Sequence, residues 1–165
     1  MYEYVYEEAC IDRAAGLLDG FKDTINPEVT VDIVASVSPA NQAEGKEMGE
    51  TVLQANDVDV VLGIAGDQCA GFCSAAEDAG IDPDSIMVAA MDISKVSAAL
   101  LQEGKYIKML CSWGSPSYDK SLVHLKAMEE AMKIDGVTED PVRVVYDVAY
   151  IDETNIDQTL EDFGW

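Results

Sequence analysis

Several residues of polar, aromatic or glycine type follow directly after short apolar runs. They are Asp12, Arg13, Gly66, Asp67, Gln68, Asp92, Ser112, Trp113 and Ser115. Arginine carries a fork of donors and aspartate carries two acceptor oxygens, so the two together can bind vicinal hydroxyl groups, which both donate and accept. An indole can cover the apolar face of a sugar ring. The set suits a neutral polyhydroxyl ligand.

Each of these residues also has a purely structural interpretation. Asp12 and Asp67 can cap helices, and Arg13 can pair with a surface carboxylate. Asp92 stands between an apolar strand and a predicted helix start, so it can be a cap, a ligand group or both. Trp113 can fill the core, although its serine, glycine and proline neighbours favour a contact residue on a loop. The sequence leaves both interpretations open.

A catalytic set is hard to assemble from these residues. No GxSxG nucleophile elbow and no HExxH motif occurs, and the only histidine, His124, falls inside a predicted helix. A phosphoacceptor receiver domain has the same layer order and could use Asp67, but Tyr6-Glu7-Glu8 and Ser112 match its other positions weakly. A receiver or a small hydrolase is therefore the second alternative, and we expect a protein that is not an enzyme.

The sequence predicts neither a metal site nor a cofactor. Cys10, Cys69, Cys73 and Cys111 are scattered along a chain that is large enough to fold without disulfides. The spacing of Cys69 and Cys73 puts both thiols on one helix face, but a single histidine leaves a metal site short of ligands. We expect both to be small buried hydrophobic residues. No P-loop and no GxGxxG motif follows a strand, which argues against a phosphate ligand.

Size and charge narrow the class of protein further. The chain has 165 residues and a mass of 17.8 kDa, so residues 1–165 are expected to form a single domain. Its net charge of −22 would repel nucleic acid phosphates and anionic lipid head groups. The sequence has no signal segment at its start and no apolar run of membrane-spanning length. We therefore expect no nucleic acid partner and no direct membrane insertion.

Short β-branched runs alternate with longer helical runs along the chain. The pattern predicts strands at 2–6, 29–35, 58–64, 86–91, 105–111 and 142–150, helices at 12–25, 39–55, 67–79, 94–103 and 118–133, and a short helix in the acidic tail. Crossovers of this length predict an α/β fold, a three-layer α/β/α sandwich with a mainly parallel, doubly wound sheet. The apolar strand 58–64 should be central, and functional residues should meet at the carboxyl ends of the strands.

A series of segments resembles a known family in the same order along the chain. The segments are RAAGLLDGF (13–21), LQANDVDVVLGIAGDQCAGFCSAAEDAGI (53–81), MVAAMDIS (87–94), LLQEGK (100–105), SPSYDK (115–120) and YIDETNID (150–157). Together they resemble the carboxyl-terminal half of the type I periplasmic sugar-binding proteins, the ribose and galactose binders of ABC transporters. The resemblance implies that this sequence is one lobe of a two-lobed protein, without the first lobe.

The resemblance also implies a ligand site. Arg13 corresponds to the sugar-binding arginine of the family, and Asp92 corresponds to the aspartate of its Gly-Phe-Asp turn, which reads AMD here. The usual asparagine of the family is replaced by Gly66 or Ala65, and Asp67 takes the next position. We therefore expect a site that comprises Arg13, Gly66, Asp67, Gln68, Asp92, Ser112 and Trp113.

The function that the resemblance implies is capture of a sugar or similar small polar ligand for an ABC permease. It further implies a periplasmic or extracellular location, with a lipid anchor in the full-length protein. Effector-binding domains of transcriptional repressors have the same fold and are the first alternative. In the family, the helix that corresponds to 118–133 packs on the first lobe, so here we expect it to fold back or to dock on a second copy as a homodimer.

Overall fold

The computed structural model describes residues 8–112, 125, 128, 129 and 148–165. The predicted strand 2–6, Trp113, most of the predicted helix 118–133 and residues 142–147 lie outside the described residues. The helices are α1 (Glu8–Thr24), α2 (Gln42–Ala55), α3 (Gly66–Asp78), α4 (Lys95–Gln102) and α5 (Ile156–Phe163). The strands are β1 (Val60–Gly63), β2 (Met87–Met91), β3 (Ile107–Ser112) and β4 (Ala149–Ile151).

The four described strands form one sheet in the order β1-β2-β3-β4. β1 pairs with β2 and β2 with β3 in parallel, whereas β3 and β4 are antiparallel. α3 and α4 make the crossovers between the parallel strands, as the alternation of strand and helix predicts. The predicted α/β architecture with a mainly parallel sheet and flanking helices is therefore confirmed.

The inner face of the sheet carries Val88, Ala90, Leu110 and Ile151, and it contains the core. Val88 and Leu110 are fully buried. Against them pack Phe72, Cys73 and Ala76 of α3, Ala98 and Leu101 of α4, and Ile156 of α5. α2 adds a further layer by packing along α3. The core is thus built from α3, α4, α5 and one face of the sheet.

The outer face of the sheet carries Met87, Met91, Met109, Cys111 and Tyr150, because side chains alternate between faces along a strand. Met91 is paired with Cys111, and Cys111 is paired in turn with Tyr150. Met87, Met109 and Tyr150 are 40%, 37% and 68% exposed. This face is as apolar as the inner one but is only partly covered.

One prediction for the amino-terminal part of the chain is wrong. Residues 29–35 form no strand: their backbone is irregular, and Val29 and Ile33 are exposed. β1 is the outermost strand of the described sheet, and because the predicted strand 2–6 lies outside the described residues, the central position of 58–64 stays a prediction. A β-branched run becomes a strand only where a neighbouring strand completes its hydrogen bonds. The described sheet offers residues 29–35 no such neighbour.

Helix boundaries follow local capping. Asn41 accepts a hydrogen bond from a first-turn backbone N–H of α2, so this helix begins at residue 42 instead of residue 39. Ser94 caps α4 through a capping box. The predicted stops Gly80 and Gly104 have left-handed backbones, with φ of +69° and +70°. Asp12 lies inside α1, which begins four residues earlier, so the prediction that it caps this helix is wrong.

Candidate functional site

The carboxyl ends of three parallel strands bring the candidate residues to one edge of the sheet. Ile64 follows β1, Asp92 follows β2, and Ser112 ends β3. The backbone N–H of Asp92 donates to the carbonyl of Cys111 over 2.7 Å, which ties the end of β2 to that of β3. We call this the carboxyl edge. Open α/β sheets bind ligands at this edge.

An ion pair between Arg13 and Asp92 occupies the carboxyl edge. Arg13 reaches from α1, and its Nη1 lies 2.8 Å from Asp92 Oδ2 and 3.4 Å from the carbonyl oxygen of Ile64. The side chains of Arg13 and Asp92 are 22% and 45% exposed. The structure therefore brings together two of the predicted ligand residues, which are 79 positions apart in sequence. Both remain accessible from solvent.

Asp92 has a left-handed backbone, with φ of +59°. For an L-residue this conformation costs about 1–2 kcal/mol, although aspartate tolerates it better than most. The hydrogen bond to Cys111 O holds the turn in place. Outliers of this kind concentrate at ligand sites, where the fold maintains an unfavourable conformation to aim a side chain. Here the side chain is aimed at Arg13.

Gly66 lies against this turn and begins α3. A Cβ at this position would lie 2.6 Å from the carbonyl oxygen of Asp92 and 2.7 Å from Ser97 Oγ, so only glycine allows this close approach. A ligand could meet Gly66 only through its backbone. Asp67 is exposed in the first turn of α3, and Gln68 is half-buried. The N-cap residue is Ala65, so the alternative interpretation of Asp67 as a cap does not hold.

Ser112 and Trp113 are the remaining predicted site residues. Ser112 is 7% exposed and alternates onto the same inner face as Leu110, away from open solvent. Trp113 lies outside the described residues. The structure therefore assembles Arg13, Asp92 and the start of α3, while a contact between Ser112 or Trp113 and a ligand stays a prediction.

Trp165 lies near the same edge, although no local sequence pattern assigns it to the site. At one end of the α4–α5 pair, Gln102 Nε2 donates to Asp157 Oδ1 over 2.7 Å. At the other end, Lys95 Nζ lies 5.6 Å from the centroid of the Trp165 ring, which also packs edge-on against Phe163. Since Lys95 begins α4, the two helices are antiparallel and Trp165 lies at the end of α4 that follows the carboxyl edge. Only this tertiary pairing reveals its position.

Three of the four cysteines have thiols with raised pKa values. All four are free thiols. Burial raises the pKa of Cys69 and Cys73 to about 12, which agrees with the prediction that they are buried hydrophobic residues. Burial, and secondarily the carboxylate of Asp92, also raises the pKa of Cys111 beside the site. These thiols stay protonated at neutral pH, and a protonated thiol is a poor nucleophile and a poor metal ligand.

Two negative findings apply to the described part of the chain. No group of three or more histidine, cysteine, aspartate or glutamate side chains there could hold a metal ion. None of its helices combines the length and the apolar character that a membrane span requires.

A cleft of about 360 Å³ lies away from the carboxyl edge, near the residues that begin β3 and follow β4. Its lining includes Leu101, Ile107, Lys108, Asp152, Glu153 and Thr154. Two of its charged groups already have partners, because Lys108 pairs with Asp84 and Asp152 accepts from Thr154. None of the predicted ligand residues lines this cleft.

Comparison with known proteins supports the fold. No family model and no curated protein matches the sequence. Among solved structures, a protein from Mycobacterium smegmatis is 26% identical, with a TM-score of 0.69 over 92% of this chain and 48% of that chain. A galactofuranose binding protein is 20% identical, with a TM-score of 0.74 over 93% of this chain and 51% of that one.

A third match is the periplasmic binding protein component of the arabinose ABC transporter from Shewanella sp. ANA-3, bound to α- and β-L-arabinofuranose. It is 19% identical, with a TM-score of 0.69 over 93% of this chain and 49% of that one. This chain thus spans about half the length of the structures it matches. The resemblance found in the sequence is confirmed, and the fold of the chain is that of one lobe of a periplasmic binding protein.

Proposed function

We propose that this chain is the carboxyl-terminal lobe of a solute-binding protein that captures a sugar for an ABC transporter. The ion pair of Arg13 and Asp92 at the carboxyl edge carries the proposal. It places the guanidinium donors of Arg13 beside the carboxylate acceptors of Asp92, and both side chains are accessible to solvent. The protein makes and breaks no bond in this role. The proposal includes a periplasmic or extracellular location, a lipid anchor in the full-length protein and a permease partner.

The geometry suits hydroxyl groups better than charged ligands. A sugar hydroxyl can donate to the exposed carboxylate of Asp92 and accept from the guanidinium of Arg13, so a vicinal pair can bind across the 2.8 Å ion pair. An anionic ligand would meet a chain with a net charge of −22. A cationic ligand would have to approach the arginine. A neutral ligand avoids both costs.

The named ligands of similar structures suggest a narrower class. One such structure is named a galactofuranose binding protein, and another is bound to arabinofuranose. Both are five-membered ring sugars, which expose several adjacent hydroxyl groups. We therefore propose pentose and hexose sugars with adjacent hydroxyl groups as the ligand class to test first, with arabinose and galactose as the probes.

A single lobe should bind weakly. Two-lobed binding proteins close on their ligand by hinge motion and contact it from both sides, and this chain spans about half of such a structure. With half of the contacts, we expect a dissociation constant on the order of 1 mM for L-arabinose or D-galactose. A submicromolar dissociation constant for this chain would contradict the proposal that it holds only half of the ligand contacts.

The experiment is a calorimetric or NMR titration of the chain and of its Asp92→Asn variant with these sugars. Asparagine keeps the shape of the side chain and tolerates φ of +59°, so the variant should fold. Loss of a charged hydrogen-bond partner should weaken binding by about 10- to 100-fold. The control is Asp84→Asn. It also removes the charge of an ion-paired aspartate, whose Oδ1 lies 3.1 Å from Lys108 Nζ, but this pair is far from the carboxyl edge. Equal affinity for Asp92→Asn and the unaltered chain would contradict the proposal.

A further inference from the structure

α1 is held to the rest of the described chain more loosely than the other helices are. Residues 10–24 of this helix include no buried residue, whereas every other described helix buries at least one. Its apolar residues Leu17, Leu18 and Phe21 are half-buried, and none of them belongs to the described core cluster or packs against it. Little apolar burial therefore holds α1 in place, which is typical of an element that opens locally.

The sequence of α1 and the segment that follows it also favour local opening. α1 contains Gly16 and Gly20, and a Cβ at either position would meet no atom within 4 Å. Glycine inside a helix lowers the stability of the helix relative to alanine, and here no close approach requires it. Residues 26–38, which follow α1, are exposed and form neither helix nor strand. This segment can therefore let α1 move without disturbing α2.

Arg13 connects this loosely held helix to the candidate ligand site. Among residues 10–24, it is the one residue whose side chain makes a hydrogen bond or ion pair with another described element. Its Nη1 lies 2.8 Å from Asp92 Oδ2 and 3.4 Å from the carbonyl oxygen of Ile64, both at the carboxyl edge. If α1 left the sheet, the guanidinium would leave the carboxyl edge with it. Docking of α1 and assembly of the site are therefore the same event.

We propose that α1 is a conformational switch: it docks and undocks as a unit, and a ligand that bridges Arg13 and Asp92 stabilises the docked form. The identity of the ligand as a neutral sugar rests on the proposed function, whereas the docking equilibrium exists without ligand. A ligand that binds only the docked form shifts the equilibrium toward that form. Residues 18–24, more than one helical turn beyond Arg13, are then protected without touching the ligand. The undocked fraction also weakens the apparent affinity, because only docked molecules bind.

Amide hydrogen exchange read by mass spectrometry tests the switch in the absence of ligand. Protection factors in α1 should be lower than those in α3, which packs in the core, by about tenfold or more. Asp92→Asn and Arg13→Gln break the same ion pair from its two sides, and each should lower the protection of α1 by about two- to fivefold. Protection of α3 and α4 should not change in either variant.

Two further variants separate docking of α1 from general stability. Gly16→Ala/Gly20→Ala strengthens the helix where no neighbour is crowded, so it should raise the protection of α1 by about tenfold. The control is Asp78→Asn, which breaks an exposed ion pair between α3 and Lys46 of α2 and should leave the protection of α1 unchanged.

The same measurement with L-arabinose or D-galactose tests the coupling to the ligand. Sugar at about ten times its dissociation constant should raise the protection of residues 18–24 by about tenfold and leave that of α2 unchanged. If neither sugar binds, the proposed function fails, and the exchange measured without ligand still decides whether α1 is a switch. Three results would overturn the switch: equal protection of α1 and α3, no selective loss in α1 when the ion pair is broken, or sugar binding that leaves residues 18–24 unprotected.

Discussion

The two faces of the same sheet are almost equally apolar, yet only one of them is a core. On β3, Leu110 points inward and is fully buried, whereas its neighbour Met109 points outward and is 37% exposed. The difference arises from what packs on each face, since α3, α4 and α5 cover the inner one. Apolar side chains therefore build the fold on one face and remain available for contact on the other.

The sharpest test of this contrast uses these two adjacent residues. Leu110→Ala leaves a cavity between the sheet and its helices, and should lower the free energy of unfolding by about 2–5 kcal/mol. Met109→Ala removes a partly exposed side chain and should change it by less than about 1 kcal/mol. Urea denaturation followed by circular dichroism measures both. Similar losses for the two variants would mean that the outer face is also a packed core.

Two glycines extend the comparison to the helices. Gly66→Ala would bring a methyl group within 2.6 Å of the Asp92 carbonyl, so the crowding should cost about 1–3 kcal/mol of stability. Gly16 lies inside α1 with no atom near the position of a Cβ, so Gly16→Ala should stabilise the chain by up to about 1 kcal/mol through helix propensity. Thermal or urea unfolding gives both values. A destabilising Gly16→Ala would show that α1 is packed against an element on that side.

The buried thiols make the stability of the chain depend on alkaline pH. The pKa of Cys69 and of Cys73 is raised from 9.0 to about 12 by burial under the inner face. A group whose folded pKa is raised contributes stability that is complete below pH 9 and is lost as the pH rises toward 12. Stability should therefore fall across this alkaline range, and less so in the Cys69→Ala/Cys73→Ala double variant.

Reaction with a thiol reagent checks the same contrast at constant pH. Cys111 on the outer face is half-buried, whereas Cys69 and Cys73 are at most 5% exposed. Cys111 should react in the folded protein, and the other two only after unfolding. Mass spectrometry of labelled peptides identifies the modified residues. Equal labelling of Cys73 and Cys111 in the folded chain would remove the distinction between the faces.

The sequence predicts the middle of the chain well. Observed boundaries from β1 to β3 differ from the predicted ones by at most two residues, because glycine stops and a serine cap mark the helices there. Local sequence signals fail where a neighbouring strand decides whether a segment joins the sheet. Residues 29–35 have strand propensity but no described pairing partner.

The candidate site shows the same limit. Strand-end positions and the family resemblance identify Arg13 and Asp92, but their 2.8 Å contact depends on how α1 lies against β1. The position of Trp165 depends on the antiparallel packing of α5 on α4, which no local pattern encodes. The left-handed backbone of Asp92 is also invisible in the sequence, because glycine is the usual sign of such a turn.

The most direct test of the central claim is a map of amide chemical shifts during titration with L-arabinose or D-galactose. The largest changes should fall on the carboxyl edge, at residues 64–68 and 91–94 and at the amide of Arg13. Shifts confined to the cleft around Lys108 and residues 152–154, or no shift at saturating sugar, would contradict a sugar site built on Arg13 and Asp92.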